Sequence, residues 1–458
     1  MEQTWELLGE AAATAIRYRE TLSGRPVAGP VDPAAIREAF GGELPSEPCP
    51  PGQVLEELRR AAEGGLVATT GPRFFGFVTG GSLPSATAAD ILAVGWDQCA
   101  GLTVASPAAA AAEQCAGEWL KALLGLPASA SVGFVIGGQA ANTVGLAAAR
   151  HHLCAEAGWD VERDGLAGAP PVRVVASAER HATIDRSLRL LGFGTAAVEE
   201  VPAGRDGAID TSALAEVLAR GGPAIVCLQA GNVNTGACDD LRTACSLVRD
   251  HSGWSHVDGA FGLWAAASPR TAALVDGIEL ADSWATDGHK WLNVPYDSGF
   301  AFCARPDVHT AAVSYTAPYL VTEGGTMGPA DYTLESSRRA RGFAVWAALR
   351  ELGRDGVAEL VDRCCLLARR FAAALAEGGA EIGNDVVLNQ VLVRFDDDAR
   401  TDRVVDGVQR EGTCWLGGTT WRGRRYLRVS VSNWSTTEAD VDRSAEAILR
   451  VAASASSG

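Results

Sequence analysis

From about Ala86 onward, short β-branched and aromatic runs alternate with helical stretches, and this alternation limits the fold more than any other feature of the chain. The runs are Val132–Ile136, Val172–Ala176, Ala224–Gln229, Ser255–Val257 and Gly299–Cys303, while helical periodicity covers Glu113–Leu124 and Ala140–Ala155. Apolar runs bounded by Gly, Asp or Asn, with helices between them, form mostly parallel sheets covered on both faces. The expected class is therefore α/β, with a ligand site beyond the carboxyl ends of the strands. A helix with an apolar stripe from Ala340 to Leu352 leads into a smaller α+β unit, where VVLNQVLVRF and YLRVSVS read as strands and Asp440–Ala452 as a closing helix. Ahead of the sheet, helical periodicity is broken by GRPVAGPVDP and LPSEPCPPG, whose Pro and Gly residues force turns. The expected division of the 458 residues is an N-terminal helical segment (1–72) packing on a larger body or a dimer partner, a large α/β domain (73–346) and a small C-terminal α+β domain (347–458).

Charge removes several classes of function. With 39 Lys and Arg against 56 Asp and Glu the net charge is −17, which repels phosphate backbones and anionic lipid, so neither nucleic acid nor membrane is expected as a partner. The Ala-rich helices are interrupted too often by Arg, Glu or Gln to cross a bilayer. The opening MEQTWELLGEAAATAIRYRE reads as an acidic amphipathic helix rather than an export signal, so the expected location is cytoplasmic. Eleven cysteines are scattered apart from Cys364–Cys365, without CxxC or zinc spacing. They are expected to be reduced, buried thiols, and no metal is expected.

Two segments carry the chemistry. Ser255–Ala260 (SHVDGA) places Asp258 where a buried strand ends, and about thirty residues later Asp282–Trp291 (DSWATDGHKW) places Lys290 at the end of another. A lysine in an apolar neighbourhood is costly to bury charged, so its pKa is expected to fall and its amine to become nucleophilic. Schiff-base chemistry on a carbonyl cofactor needs such an amine, and an acid partner for a pyridine nitrogen completes the requirement. Together on an α/β pattern, Lys290 and Asp258 favour pyridoxal 5′-phosphate (PLP). The turn Gly137–Gly138–Gln139, between a strand and a helix, offers backbone N–H groups to a phosphate. GxGxxG is absent, which disfavours a dinucleotide. His181 follows a strand and is placed either to stack on a planar ring or to cap a helix. His289 is a further phosphate candidate or a structural hydrogen-bonding group. Asn232, in the loop GNVNTG, lies on the expected ligand side, where such polar residues also make turns.

These motifs resemble the group II PLP-dependent amino acid decarboxylases, which include the aromatic-L-amino-acid and glutamate enzymes, of the fold type I (aspartate aminotransferase-like) superfamily. The resemblance spans nearly the whole chain: GPRFFGFVTGG from Gly71, Ala105–Pro107, GGQAAN, His181, GNVNTG, HVDGA, DGHKW and Leu427–Ser430. HVDGA and DGHKW at this separation are its most specific parts. The resemblance implies that Lys290 carries the cofactor, Asp258 pairs with the pyridine nitrogen, Ala260 packs under the ring and His181 stacks on the other face. Gly138, Gln139 and His289 would hold the phosphate, and Arg428 would lie near the substrate carboxylate or support the site. It also implies a homodimer with shared active sites, releasing amine and carbon dioxide from an L-amino acid. A tyrosine on a loop protonates the product carbon in this family; Tyr332 is the first candidate, with Tyr315 and Tyr319 behind it. Phe74, Phe75, Phe77 and Trp96, with Thr79 near them in sequence, fall in regions that line the substrate pocket in relatives, which leans the substrate toward aromatic or large apolar side chains, although ordinary core packing suits these aromatics as well. Arg73 and the Arg338–Arg339–Arg341 cluster keep an acidic substrate open, although such a cluster also suits a solvated helix face or a dimer contact. Two departures stand out. Many relatives carry Asn-Pro where this chain has Asp287–Gly288, and a hydroxyl where it has Gly138–Gln139. An aminotransferase of the same fold, or an oxygen-dependent aldehyde synthase, would need Lys290 and Asp258 equally.

Overall fold

A computed structural model describes residues 2–29, 31–318, 320 and 328–455. Its centre is a seven-stranded sheet built from β1 (Ser131–Val135), β2 (Arg173–Ser177), β3 (Val198–Val201), β4 (Ala224–Gln229), β5 (Trp254–Asp258), β6 (Ser283–Asp287) and β7 (Gly299–Cys303). The order is β1-β7-β6-β5-β4-β2-β3, and the pairs among β3, β2, β4, β5 and β6 are parallel. Only β7 runs against its neighbours, β6 and β1. The sheet is thus mostly parallel, as the alternation implies.

Both of its faces are buried, which is why its strands lack polar alternation. Val175, Val226, Leu228 and Val257 join one apolar cluster, while Val174, Ala176, Ile225, Cys227 and Trp254 join another. Successive side chains of one strand therefore supply opposite faces. The helix Gly138–Glu156 packs across β4 to β7, and the helix Leu241–Asp250 packs on β4 and β5. The five runs expected for this sheet agree with the observed strands to within a residue, whereas YLRVSVS, expected in the smaller unit, falls at Arg424–Ser430. The short edge strand β3 (VEEV) was not anticipated, because two of its four residues are Glu and it is largely half-buried.

A second, antiparallel sheet follows: β8 (Glu381–Ile382), β9 (Gln390–Arg394), β10 (Gly417–Trp421) and β11 (Arg424–Ser430), in the order β10-β11-β9-β8. The run VVLNQVLVRF enters the sheet only at Gln390. Just before it, Asn389 donates its side-chain amide to the Val431 carbonyl and Ser432 Oγ, both at 3.0 Å, while its own carbonyl accepts the Val431 N–H. The helix Gly342–Glu377, kinked at Gly353, packs on Pro84–Trp96 and Pro107–Leu124 at one end and on β9 and Glu438–Ser454 at the other.

The N-terminal helices Glu2–Glu20, Pro33–Phe40 and Pro51–Glu63 bury little. Leu8, Ile16, Leu58 and Leu66 are exposed, as expected of a segment without its own core. It is tied down where Ala68 and Val27 hydrogen-bond each other and Val27 reaches Gly412. Arg73, fully buried, donates to the carbonyls of Thr413, Ser23 and Arg25. Among the described residues, no helix is long and apolar enough to cross a membrane. Most thiols are buried, and burial pushes Cys227, Cys303 and Cys414 up to about 12, which leaves them unreactive.

Candidate active site

The carboxyl ends of β5 and β6 and the turn after β1 converge on one small cavity of about 50 Å³. Gly138, Gln139, His181, Asp258, Ala260 and Lys290 all line it. The sheet sets this up: Val135 pairs with Gly299 and Gly299 with Asp287, so the Gly137–Gly138 turn lies beside the end of β6. The approach is close enough that a Cβ on Gly299 would meet Gly137 Cα at 2.5 Å. One on Gly138 would meet Asp287 Oδ2 at 2.9 Å. Small residues are required there, and the first N–H groups of the helix Gly138–Glu156 are left available for side chains or ligands.

Asp258 closes one end. Its Oδ2 accepts from Asn142 Nδ2 at 3.1 Å and Thr183 Oγ1 at 3.4 Å, and its Oδ1 from the Ala260 N–H at 3.3 Å. Behind Asn142 runs a relay of neutral groups. Trp254 Nε1 donates to Ser283 Oγ (2.9 Å), Ser283 Oγ faces His256 Nδ1 (2.9 Å), and His256 Nε2 faces Asn142 Oδ1 (3.0 Å). An amide oxygen only accepts, so the His256 proton is assigned to Nε2 and the Ser283 hydroxyl donates to Nδ1. Burial pushes His256 down to about 4, which keeps it neutral. A Cβ on Gly145 would fall 2.6 Å from the His256 ring, so this helix position must be glycine for the ring to fit.

Lys290 lies at the other end, and here the expectation of a depressed pKa is overturned. Burial pulls the ammonium down, but Asp287 Oδ2 at 2.9 Å, helped by Asp258, outweighs that and holds it above its ordinary value. Asp287 Oδ1 accepts the Gly138 N–H at 2.5 Å and lies 3.6 Å from His289 Nε2. His289 Nδ1 accepts the Ser298 N–H at 3.2 Å, and its ring stacks on Tyr296 at 4.4 Å. Burial lowers the pKa of His289.

His181 takes the capping role anticipated for it and also lines the cavity. It caps the helix Ala182–Leu190 by accepting the Thr183 N–H at 3.2 Å, and it faces the cavity, where burial lowers its pKa. Other nominated residues are committed elsewhere. The Gln139 amide nitrogen is turned to Ser187 Oγ (2.9 Å) and the Thr183 carbonyl (3.3 Å). Asn232 shapes its own loop, accepting from Asn234 and Thr235 and donating to the Glu179 carbonyl; Gly231 and Val233 line the cavity instead. Arg428 donates to the Val233 carbonyl at 3.1 Å, so it stands next to the cavity, and burial lowers its pKa. Among the described residues it has no carboxylate partner.

Tyr332 does not belong to this cavity. It lines a separate one with Glu113, Lys121 and Ser131, its ring edge-on to His309 at 5.2 Å. Tyr315 donates to Ser336 Oγ at 2.7 Å, and Tyr319 lies outside the described residues. None of the nominated aromatics lines the cavity of its own chain. Phe75 is core, Phe74 stacks on Trp415, Phe77 is 66% exposed against the same Trp415, and Trp96 packs on Phe343. Thr79 reaches Tyr296, oxygen to oxygen, at 3.5 Å. The arginines kept open for an acidic substrate have other partners: Arg73 with Asp440, Arg338 with Glu113, Arg339 with Asp90 and Arg341 with Asp297. Arg338 is moreover buried, not on a solvated face. Sequence reasoning missed Asn142, Thr183, His256 and Tyr296. Asn142 and Thr183 stand within three residues of nominated positions, and His256 shares the Asp258 face of β5 two residues earlier.

The profile of the pyridoxal-dependent decarboxylase conserved domain matches residues 33–395. The chain belongs to that family. It is 27% identical over 457 residues to an aromatic-L-amino-acid decarboxylase of Bacillus atrophaeus (95% of this chain, 93% of the relative). It is 24% identical over 450 residues to a phenylacetaldehyde synthase of Arabidopsis thaliana (93% and 90%). The structure of an Oryza sativa TDC with PLP and tryptamine superposes with a TM-score of 0.92 at 24% identity, covering 99% of this chain and 98% of that one. The fold is that of a fold type I PLP enzyme, the family's cofactor is PLP, and the activity is that of a carboxy-lyase. The residues present fit the cofactor. A lysine and a carboxylate line one cavity from adjacent strand ends, Ala260 supplies a small wall, and the Gly137–Gly138 turn brings a helix N-terminus to it, whose Gly138 N–H is taken by Asp287.

Proposed function

We propose that this chain converts an L-amino acid, with a leaning toward aromatic or large apolar side chains, to its amine and carbon dioxide. The observation that carries this reading is that Asp258, at the end of β5, and Lys290, just past the end of β6, line one cavity together with Ala260 and His181. In this reading Lys290 would hold the cofactor's carbonyl carbon, Asp258 its ring nitrogen, Ala260 and His181 its faces, and Gly138 with His289 its phosphate. The cofactor supplies an electron sink for the bond broken at the substrate α-carbon. The chain's part is placement and charge. Asp258, steadied by Asn142, Thr183 and the Ala260 N–H, keeps a negative charge where a ring proton is to be retained. Arg428, without a carboxylate of its own, is the group available to a substrate carboxylate. Lys290 Nζ would be the proton-holding amine at the cofactor's carbonyl end, with Asp287 as its ion-pair partner.

The leaning toward apolar side chains is supported by the named activity of the Bacillus relative and by the prior pairing of Arg73, Arg338, Arg339 and Arg341. Two observations favour an oxygen-dependent aldehyde synthase as the second reading: the likeness to phenylacetaldehyde synthase, and the seating of Tyr332 outside the cavity. One assay separates the readings. The cofactor-loaded protein is incubated with the twenty common L-amino acids and aromatic variants, and products are read by mass spectrometry. Amine with carbon dioxide supports the first reading, aldehyde with hydrogen peroxide and ammonia the second, and a 2-oxo acid overturns both in favour of an aminotransferase. The working unit in this reading is a cytoplasmic homodimer. Exposed Phe77, Val94 and Trp96 and the many buried, unpaired thiols support it.

A further inference from the structure

One buried charge at the site, Asp287, does more than pair with Lys290. The Asp287 side chain is almost fully enclosed, and its backbone is held on both sides: its N–H donates to the Ala260 carbonyl at 3.0 Å and its carbonyl accepts from Trp264 Nε1 at 3.0 Å. The carboxylate is therefore fixed at the end of β6, where Oδ1 takes the Gly138 N–H at 2.5 Å and Oδ2 meets Lys290 Nζ at 2.9 Å. Both contacts matter to a phosphorylated cofactor. The Gly138 N–H is the first donor of a nineteen-residue helix, at the positive end of its dipole and in a turn where small residues admit an anion. An anion is already there, and it is part of the chain. The neighbouring Gln139 amide, turned to Ser187 and Thr183, does not offset it.

Resting on the PLP reading above, we propose that Asp287 is an internal anion at the phosphate end of the site and sets how much the cofactor's phosphate contributes to binding. A phosphate gains the Gly138 N–H only by displacing the carboxylate, and two anions within hydrogen-bonding distance of one donor repel strongly where water is excluded. The chain thereby reads the pyridine ring and discounts the phosphate. Its preference for phosphorylated over phosphate-free forms of the vitamin is small for a cradle of this shape.

Pyridoxine 5′-phosphate and pyridoxine test this without the lysine bond, because neither has an aldehyde. Binding of each is measured by titration calorimetry on cofactor-free wild type, Asp287→Asn and Asp287→Ser. Wild type is expected to prefer the phosphorylated probe by less than about tenfold, and both variants to tighten that probe by about tenfold while pyridoxine changes less than about twofold. A wild-type preference of about a thousandfold or more, equal changes for both probes, or weaker binding of the phosphorylated probe in the variants overturns the inference. The wild-type ratio needs no variant to fold. Borohydride trapping of PLP on wild-type Lys290 separates the two readings. Failure to trap removes the PLP reading itself, while trapping with an unchanged probe ratio removes only the role of Asp287.

Discussion

The two ends of the cavity solve the burial of a carboxylate in opposite ways. At the Asp258 end, one charge is met by neutral donors in series: Asn142, then His256, Ser283 and Trp254, each with its proton assigned by the next. At the Lys290 end, Asp287 is met by an ammonium, a backbone N–H and a histidine within 3.6 Å. A neutral relay fixes the position and orientation of a charge without cancelling it, so Asp258 keeps its field for whatever enters the cavity. An ion pair offsets part of it, so Lys290 is tied to Asp287 until something that enters the cavity takes its place, while Asp287 Oδ1 stays on the Gly138 N–H. The first end is prepared in advance, and the second is switched by what binds.

The largest effect is expected at the switched end. Lys290→Ala removes the only amine on the cavity among the described residues, so turnover and the visible absorbance of the attached cofactor should both vanish while far-UV circular dichroism stays unchanged. Full turnover in that variant would end the assignment. Asp258→Asn comes next. It keeps the shape and, through its one amide oxygen, the hydrogen bonds on one side, but removes the charge, so PLP should still bind while kcat falls on the order of a hundredfold or more. An unchanged kcat would mean that the field of Asp258 is not used.

Asn142→Ala sharpens the contrast, because it cuts the relay and leaves the charge. Asp258 loses its 3.1 Å donor and His256 Nε2 is left buried without an acceptor. A loss of about 1–3 kcal/mol in unfolding free energy is expected from the unpaired group, with a kcat reduced by roughly tenfold. Denaturant titration and steady-state rates read the two separately. Stability lost with kcat unchanged would make the relay purely structural.

How far the sequence anticipates all this depends on the range of the interaction. Five strands of the large sheet, the two glycines of the turn, and Lys290 with Asp258 were legible because each rests on local pattern: apolar runs, flanking Gly and Asp, a lysine among apolar neighbours. The strand β3 was not, since an edge carrying two glutamates has no apolar run to read. The relay was only half visible. His256 sits on the same face as Asp258, but its partner Asn142 is 114 residues away and becomes a neighbour only when the helix Gly138–Glu156 crosses the sheet. The wrong direction for the Lys290 pKa has the same origin. Local composition predicts an apolar setting, whereas Asp287, three residues earlier, turns its carboxylate back onto the amine because the strand ends between them. Tyr332 fits a sequence position but packs at β1, where its carbonyl accepts from His309 Nε2 at 3.1 Å.

The smallest effect on turnover is expected deepest in the relay, where its signature is pH rather than rate. His256 titrates near 4 in the folded chain, against an ordinary value near 6.5 when unfolded. Between those values the unfolded chain binds a proton that the folded chain refuses, so this group makes stability rise with pH from about 4 to 6.5 and fall as the medium is acidified. The full difference is at most about 3 kcal/mol. Other buried groups overlie it: His309 is also held near 4 and acts in the same sense, while Glu113 and Asp239, pushed up to about 7, act in the opposite one. The wild-type profile alone therefore cannot isolate His256, but the difference between wild type and His256→Gln can. Gln keeps a side-chain N–H for Asn142 Oδ1 and does not titrate. Urea titrations at steps from pH 7 to 4.5 should show wild type losing stability relative to the variant as pH falls, with kcat at pH 7 within a few-fold of wild type. Parallel profiles would mean that His256 is protonated within the fold, which would put a positive charge behind Asn142 and make the Asp258 end a paired site like its opposite.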